Sequence, residues 1–132
     1  MIGLDTSVLV RYLVGTPEAQ ARRAAALIDD LETQFGVSLV ALAECAHVLR
    51  SQYSIEQREI IDALIGFIQR ENIHVLGLRS DVLVEYLVRA RSLPGRPVPD
   101  AMIVAASVAA PALPLASFDR DHVRYGVPVQ KP

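Results

Sequence analysis

Met1-Ile2-Gly3-Leu4-Asp5-Thr6-Ser7-Val8-Leu9 opens the chain, and its reading sets the rest. A short apolar run, broken by Asp-Thr-Ser and followed by Leu9 and Leu13 near helical spacing, predicts a buried strand and then a capped helix. That puts the Asp5 carboxylate at the lip of a sheet. Asp5 before Thr6 and Ser7 is also the pattern of an N-cap, whose oxygens accept the orphan amide protons of the first turn. Asp5 alone therefore assigns no chemistry. The same arrangement, an acid at a strand or helix edge beside an apolar segment, recurs at Glu44, Asp100 and Asp119.

Outward from this stretch the chain alternates. Gly15-Thr16-Pro17-Glu18 predicts a helix stop and a new start, with Thr16 as cap and Pro17 at the first helical position. A helix is predicted from 17 to about 34, with Ala21, Ala24, Ala25, Ile28 and Leu31 inward. Val37-Ser38-Leu39-Val40 reads as a buried strand, and Ala41 to about Tyr53 as a helix carrying Glu44. Ser54 or a neighbour caps the next helix, in which Ile60, Ile61, Leu64, Ile65 and Ile68 form one apolar face. Its charged residues, Arg70 among them, read as a solvated face.

Ile73-His74-Val75-Leu76 is a third strand, and Ser80-Asp81 opens a helix to about Leu93. Pro94-Gly95-Arg96-Pro97-Val98-Pro99 reads as an extended loop that delivers Asp100 to a helix of small and apolar residues, 101 to 110. Leu113 to Ser117 is the fourth strand, Phe118-Asp119-Arg120-Asp121 a loop at its end, and Val127-Pro128-Val129 an edge strand. Strands alternating with helices predict an α/β fold: three layers, α/β/α, around a central parallel sheet of four to five strands, in one domain over residues 1–132. Ligands of such open sheets sit at the carboxyl ends of the strands, where Asp5 and Asp119 fall.

The chain of 132 residues is 52% hydrophobic and 21% charged, a globular profile. Its net charge of -2 restricts any nucleic-acid contact to local basic groups. Lys131 is the only lysine, so phosphate contacts would fall to arginines. A single cysteine, Cys45, makes no internal disulfide or cysteine-built zinc site and reads as a small buried thiol. The uncharged run from Ala101 to Phe118 is interrupted by Pro111 and Pro114, which divides it into helix, turn and strand. With no basic leader at the N-terminus, the expectation is a cytoplasmic protein without membrane contact.

Glu44 is the hardest acid to dismiss, because Ala41 and Val48, three before and four after it, are apolar; such a glutamate is partnered by an arginine or serves as a ligand. Asp100 and Asp119 each have a structural alternative, as cap or turn residue. Asp121 reads as solvent-facing or as support to the others. His47, His74 and His122 lack ligand-like spacing. Four carboxylates within about 5 Å would repel by about 3 kcal/mol per pair at an effective dielectric near 20. Such a cluster must protonate or take up cations, and hard oxygen donors select Mg2+, or Mn2+, over zinc. An ion held there can bind a phosphate oxygen and lower the pKa of a water for phosphodiester hydrolysis.

These residues resemble a known family. Asp5-Thr6-Ser7-Val8-Leu9 after a strand, Ala43-Glu44, Asp100-Ala101-Met102-Ile103-Val104-Ala105-Ala106 and Ser117-Phe118-Asp119-Arg120-Asp121 are similar to the four acidic motifs of PIN-domain ribonucleases. Length and order best match the small VapC-type toxins of toxin-antitoxin pairs. The resemblance covers nearly the whole chain. It implies a magnesium-dependent endoribonuclease in which Asp5, Glu44, Asp100 and Asp119 are the acidic quartet and metal ligands, supported by Thr6 and Ser117. It also implies a homodimer silenced by a cognate antitoxin. His122 stands where many relatives have phenylalanine, and Ser117 where threonine is frequent.

In this reading Asp5, Glu44 and Asp100 hold one metal, Asp119 completes that site or helps a second, and RNA is cut to 5'-phosphate and 3'-hydroxyl ends. Arg96 and Arg120 flank the acids as candidate RNA contacts. The alternative is a non-catalytic binding module that holds RNA or a protein tail in an acidic pocket. A phosphoacceptor signalling domain needs paired acids after the first strand and a lysine after the last, both missing here. A haloacid-dehalogenase-like phosphatase needs Asp where Ser7 stands. No glycine-rich phosphate loop is present.

Overall fold

The computed structural model describes residues 1–132. Three parallel strands, β1 (Ile2–Leu4), β2 (Phe35–Val37) and β3 (Ile73–Val75), form the main sheet in the order β1-β2-β3. Leu4 pairs with Val37 and Val37 with Val75, so all three strands end at one edge. Phe35, Gly36 and Val37 of the central strand are all buried, as expected of a strand covered on both faces. A side chain at Gly36 would meet Leu76 and Met1, so glycine is what lets those two close over β2.

Six helices surround the sheet: α1 (Thr6–Val14), α2 (Glu18–Ile28), α3 (Leu39–Ser51), α4 (Gln57–Ile68), α5 (Ser80–Ala90) and α6 (Pro97–Ala109). Each presents an apolar stripe. Ile60, Ile61, Leu64 and Ile68 of α4 are fully buried, with Leu42 and Leu49 of α3 and Leu83 and Leu87 of α5. Burial of each such side chain contributes about 1.5–3 kcal/mol. Gly15, at φ 83°, ends α1 in the left-handed conformation and donates its N–H to Arg11 O.

The α/β class is as predicted, but the sheet is smaller than the four to five strands expected. β4 (Leu115–Ala116) pairs only with β5 (Val129–Gln130), as a separate parallel two-stranded unit. The backbone N–H groups of Leu115 and Ser117 are spent on Pro128 O and Gln130 O. The second strand is Phe35–Val37 rather than Val37–Val40, because Ser38 accepts the amide of Ala41 and starts α3 two residues early.

The second helix ends at Ile28, not near 34, and Leu31 is exposed. Its first residue is Glu18, with Pro17 one position before. Arg70 is not on a solvated face: it bonds Asp29 at 2.8 Å and lies over the Tyr12 ring. The run 94–99 is not all loop, since Pro97 and Pro99 lie in the first turn of α6, where a missing N–H costs nothing. The uncharged run after Asp100 does divide into helix, turn and strand, and no helix is long and apolar enough to cross a membrane.

Candidate functional site

Asp5 follows the last residue of β1 and caps α1, its Oδ2 accepting the Ser7 hydroxyl at 2.8 Å and the Ser7 N–H at 3.3 Å. The Ser7 hydroxyl, then the amides of Ser7 and Thr6, hold its carboxyl below the usual range, so Asp5 is anionic at neutral pH. The structural alternative for Asp5 is therefore correct, yet it uses only one oxygen.

Register brings the second acid close. Leu4 beside Val37 sets Asp5 next to Ser38, the cap of α3, and Glu44 lies on the sixth residue of that helix. The hydroxyl of Thr6, the residue after Asp5, donates to Glu44 Oε2 at 3.0 Å. No arginine pairs with Glu44, and its other oxygen has no protein partner.

Asp100 is in the first turn of α6 and does not cap it; the cap position is Arg96, without a side-chain bond. Buried Tyr125 donates its hydroxyl to Pro97 O at 2.8 Å, which pins the start of that helix. Burial, then the nearby charges of Asp100 and Asp121, pushes the Tyr125 hydroxyl up, so it stays protonated as a donor. Asp119 follows β4 and caps a 3-10 helix, Arg120–Tyr125, accepting the Asp121 N–H on Oδ1 at 2.8 Å. Asp100, Asp119 and Asp121 line one cleft of about 230 Å³ with Arg96 and Arg124. Asp121 is thus a wall of the cleft and also exposed, with Arg124 Nη2 3.7 Å away.

His122 is buried, as expected of a packed histidine, but its contacts were not legible in the sequence. Its Nε2 is 3.4 Å from Asp100 Oδ1, and its Nδ1 is 3.3 Å from Ser117 Oγ. Ser117 Oγ in turn accepts the Asp119 N–H at 2.9 Å. Ser117 thus contacts the Asp119 backbone and His122, and His122 lies beside Asp100. Arg120 is exposed and does not line the cleft; Arg124, one turn on, does. Ala43 and Pro99, neighbours of Glu44 and Asp100, line a shared groove between α3 and α6.

Of the four acids, three are held by one oxygen, through Ser7, Thr6 or the Asp121 amide, Asp100 has His122 Nε2 3.4 Å from one oxygen without a hydrogen bond, and the remaining oxygens have no protein partner. They stand as two groups, Asp5 with Glu44 through Thr6 and Asp100 with Asp119 and Asp121 around one cleft, and no three His, Cys, Asp or Glu side chains are placed to hold a metal ion together. The donor chemistry fits a magnesium-type ion, which keeps several waters and needs only one or two direct carboxylates. It does not fit zinc, because the one histidine among the acids is engaged by Asp100 and Ser117 and the one cysteine is buried in the core.

Compared with known families, residues 2–128 match the family model described as PIN domain. No curated protein and no solved structure matches the chain significantly.

Proposed function

The chain belongs to the PIN domain family, whose members are generally nucleases that use divalent metal ions, and we propose that this protein is a magnesium-dependent endoribonuclease, the toxin of a toxin-antitoxin pair. The observation that carries the reading is the bond from Thr6 to Glu44, which ties the acid-bearing end of β1 to the acid-bearing helix after β2. Asp5, Glu44, Asp100 and Asp119 would hold the ion through their unpartnered oxygens. A bound Mg2+ supplies polarisation of a phosphodiester oxygen and a water of lowered pKa.

The chain's own residues prepare this chemistry. Thr6, Ser7 and the Asp121 amide orient the Glu44, Asp5 and Asp119 carboxylates before substrate arrives, and Ser117 anchors the Asp119 backbone, so less reorganisation is left for the reaction. Arg96 and Arg124, which line the same cleft as the acids, bind backbone phosphate and offset its repulsion by the carboxylates. The antitoxin, in this reading, covers the acidic cleft, and the active unit is a homodimer in the cytoplasm.

The test is cleavage of single-stranded RNA by the purified protein with magnesium, with EDTA, and after Asp5→Asn or Asp100→Asn. Cleavage that needs magnesium and is lost in both variants supports the reading. Unchanged cleavage by either variant ends the ligand assignment. Tight RNA binding with no cleavage under any metal would favour the binding module.

A further inference from the structure

A groove of about 600 Å³ runs between α1 and α2, lined by Ser7, Arg11, Gln20 and Arg23 and by apolar side chains that include Leu27. Ser7 connects it to the acidic site, because the hydroxyl that lines the groove also donates to Asp5 Oδ2. Arg11 is one turn further along the same face of α1, four residues on, at a Cβ separation of about 6 Å. Its Nε donates to Gln20 Oε1 at 2.6 Å, which fixes the guanidinium across the groove from α1 to α2. The two terminal nitrogens of that fork have no protein partner.

Arg23 has no carboxylate partner either, although its neighbour Arg22 is engaged by Glu18. Arg70, Arg79, Arg89, Arg91 and Arg124 are likewise engaged by acids. Arg50, Arg58, Arg96 and Arg120 also lack an acid partner, and Arg50 and Arg96 line another pocket together; Arg11 and Arg23 differ in sharing their groove with Ser7, the residue bonded to Asp5. A fork held at one edge with its other nitrogens free matches the bidentate geometry of phosphate. No aromatic side chain lines the groove, so it offers no platform on which bases would stack.

We propose that the α1–α2 groove is a phosphate-binding subsite for single-stranded RNA whose scissile bond lies at the acidic site, with Arg11 and Arg23 each contacting one backbone phosphate. The inference rests on the endoribonuclease reading and deepens it. Contact with the backbone alone makes the subsite indifferent to sequence.

The experiment measures binding of fluorescein-labelled 14-nucleotide single-stranded RNAs of three different sequences as salt is varied. The full chain carries Asp100→Asn to prevent cleavage. Adding Arg11→Ala with Arg23→Ala makes the slope of log K against log salt shallower by about 1.4, two phosphates at about 0.7 each. Raising salt from about 50 to 200 mM then weakens the parent about sevenfold more than the double variant. The loss is the same for all three RNAs, and Arg11→Lys with Arg23→Lys retains most of the slope. The lysine pair also separates lost charge from lost folding.

An unchanged slope on the Asp100→Asn background, with magnesium-dependent cleavage by the unsubstituted protein, overturns the subsite and leaves the nuclease reading standing. An equal loss from Arg58→Ala with Arg79→Ala, which lie outside the groove, overturns it as an effect of net charge. Weakened binding of a polyglutamate peptide with RNA binding intact overturns it in favour of a protein-docking groove. No binding or cleavage of RNA by the unsubstituted protein with magnesium removes the nuclease reading and the subsite together.

Discussion

Replacing Thr6 by valine removes one hydrogen-bond donor and changes almost nothing else, because the two side chains share shape and branching. The lost bond runs at 3.0 Å to the Glu44 carboxylate. Hydrogen bonds to charged groups contribute about 1.5–3 kcal/mol, and this one is exposed, so about 1.4 kcal/mol is the reasonable figure. If that energy orients Glu44 for catalysis, the cleavage rate falls about tenfold. Stability falls by less than about 1 kcal/mol, because nothing buried is disturbed. The assay is single-turnover cleavage of a fluorescently quenched RNA at fixed magnesium, alongside urea unfolding of the same preparations. Thr6→Ser, which keeps the hydroxyl, stays within about threefold of the parent rate. A Thr6→Val protein that cuts at full rate, or a Thr6→Ser protein as slow as Thr6→Val, would refute the claim that this contact organises the site.

Asn72 is fully buried and its amide donates to Ile28 O at 2.8 Å and to Asp30 O and Thr33 O at 3.3 Å, tying down the chain between α2 and β2. Asn72→Ala costs about 2–3 kcal/mol in urea unfolding, and a loss under about 0.5 kcal/mol would contradict that role. The Asp5 carboxyl is depressed from 3.8 in the folded chain, so the unfolded chain binds the proton first; its contribution is present above pH 3.8 and is lost as pH falls through the lower folded value. Asp5→Asn accordingly flattens the fall of the urea midpoint between about pH 4 and pH 2, and an unaltered acid limb would count against it. Burial pushes the Cys45 thiol up to about 12, so a thiol reagent at pH 8 leaves the native protein unmodified and titrates one thiol in urea; rapid native labelling would show the helix open there.

Much of this arrangement was readable from residue order. The strand at Ile2–Leu4 and the capped helix after it follow from an apolar run ended by Asp-Thr-Ser, and both are present. The apolar face of α4 and the buried thiol follow from periodicity and residue type. The misses have local causes. Val37-Ser38-Leu39-Val40 is apolar enough for either a strand or a buried helix start, and the side-chain bond from the Ala41 amide to Ser38 decides for the helix. Prolines 97 and 99 look like loop residues until they are placed in a first turn, where they are tolerated. β4 has too few residues to show in sequence which partner takes its amides, and β5 takes them.

The site was legible in its residue types and not in its wiring. Thr6 bonds the Glu44 carboxylate and Ser117 the Asp119 backbone amide, contacts that residue order alone does not give. The contact of His122 with Asp100 crosses 22 residues and no spacing rule reports it. The replacement of Arg120 by Arg124 at the cleft depends on the turn geometry of one 3-10 helix.

The most direct test of the whole account is an anomalous difference map from crystals of the protein soaked in Mn2+. The account predicts a manganese peak between the two acid groups, ligated by free oxygens from Asp5 or Glu44 on one side and Asp100 or Asp119 on the other. A map with no peak there, or with manganese bound only at acids elsewhere on the surface, would contradict it.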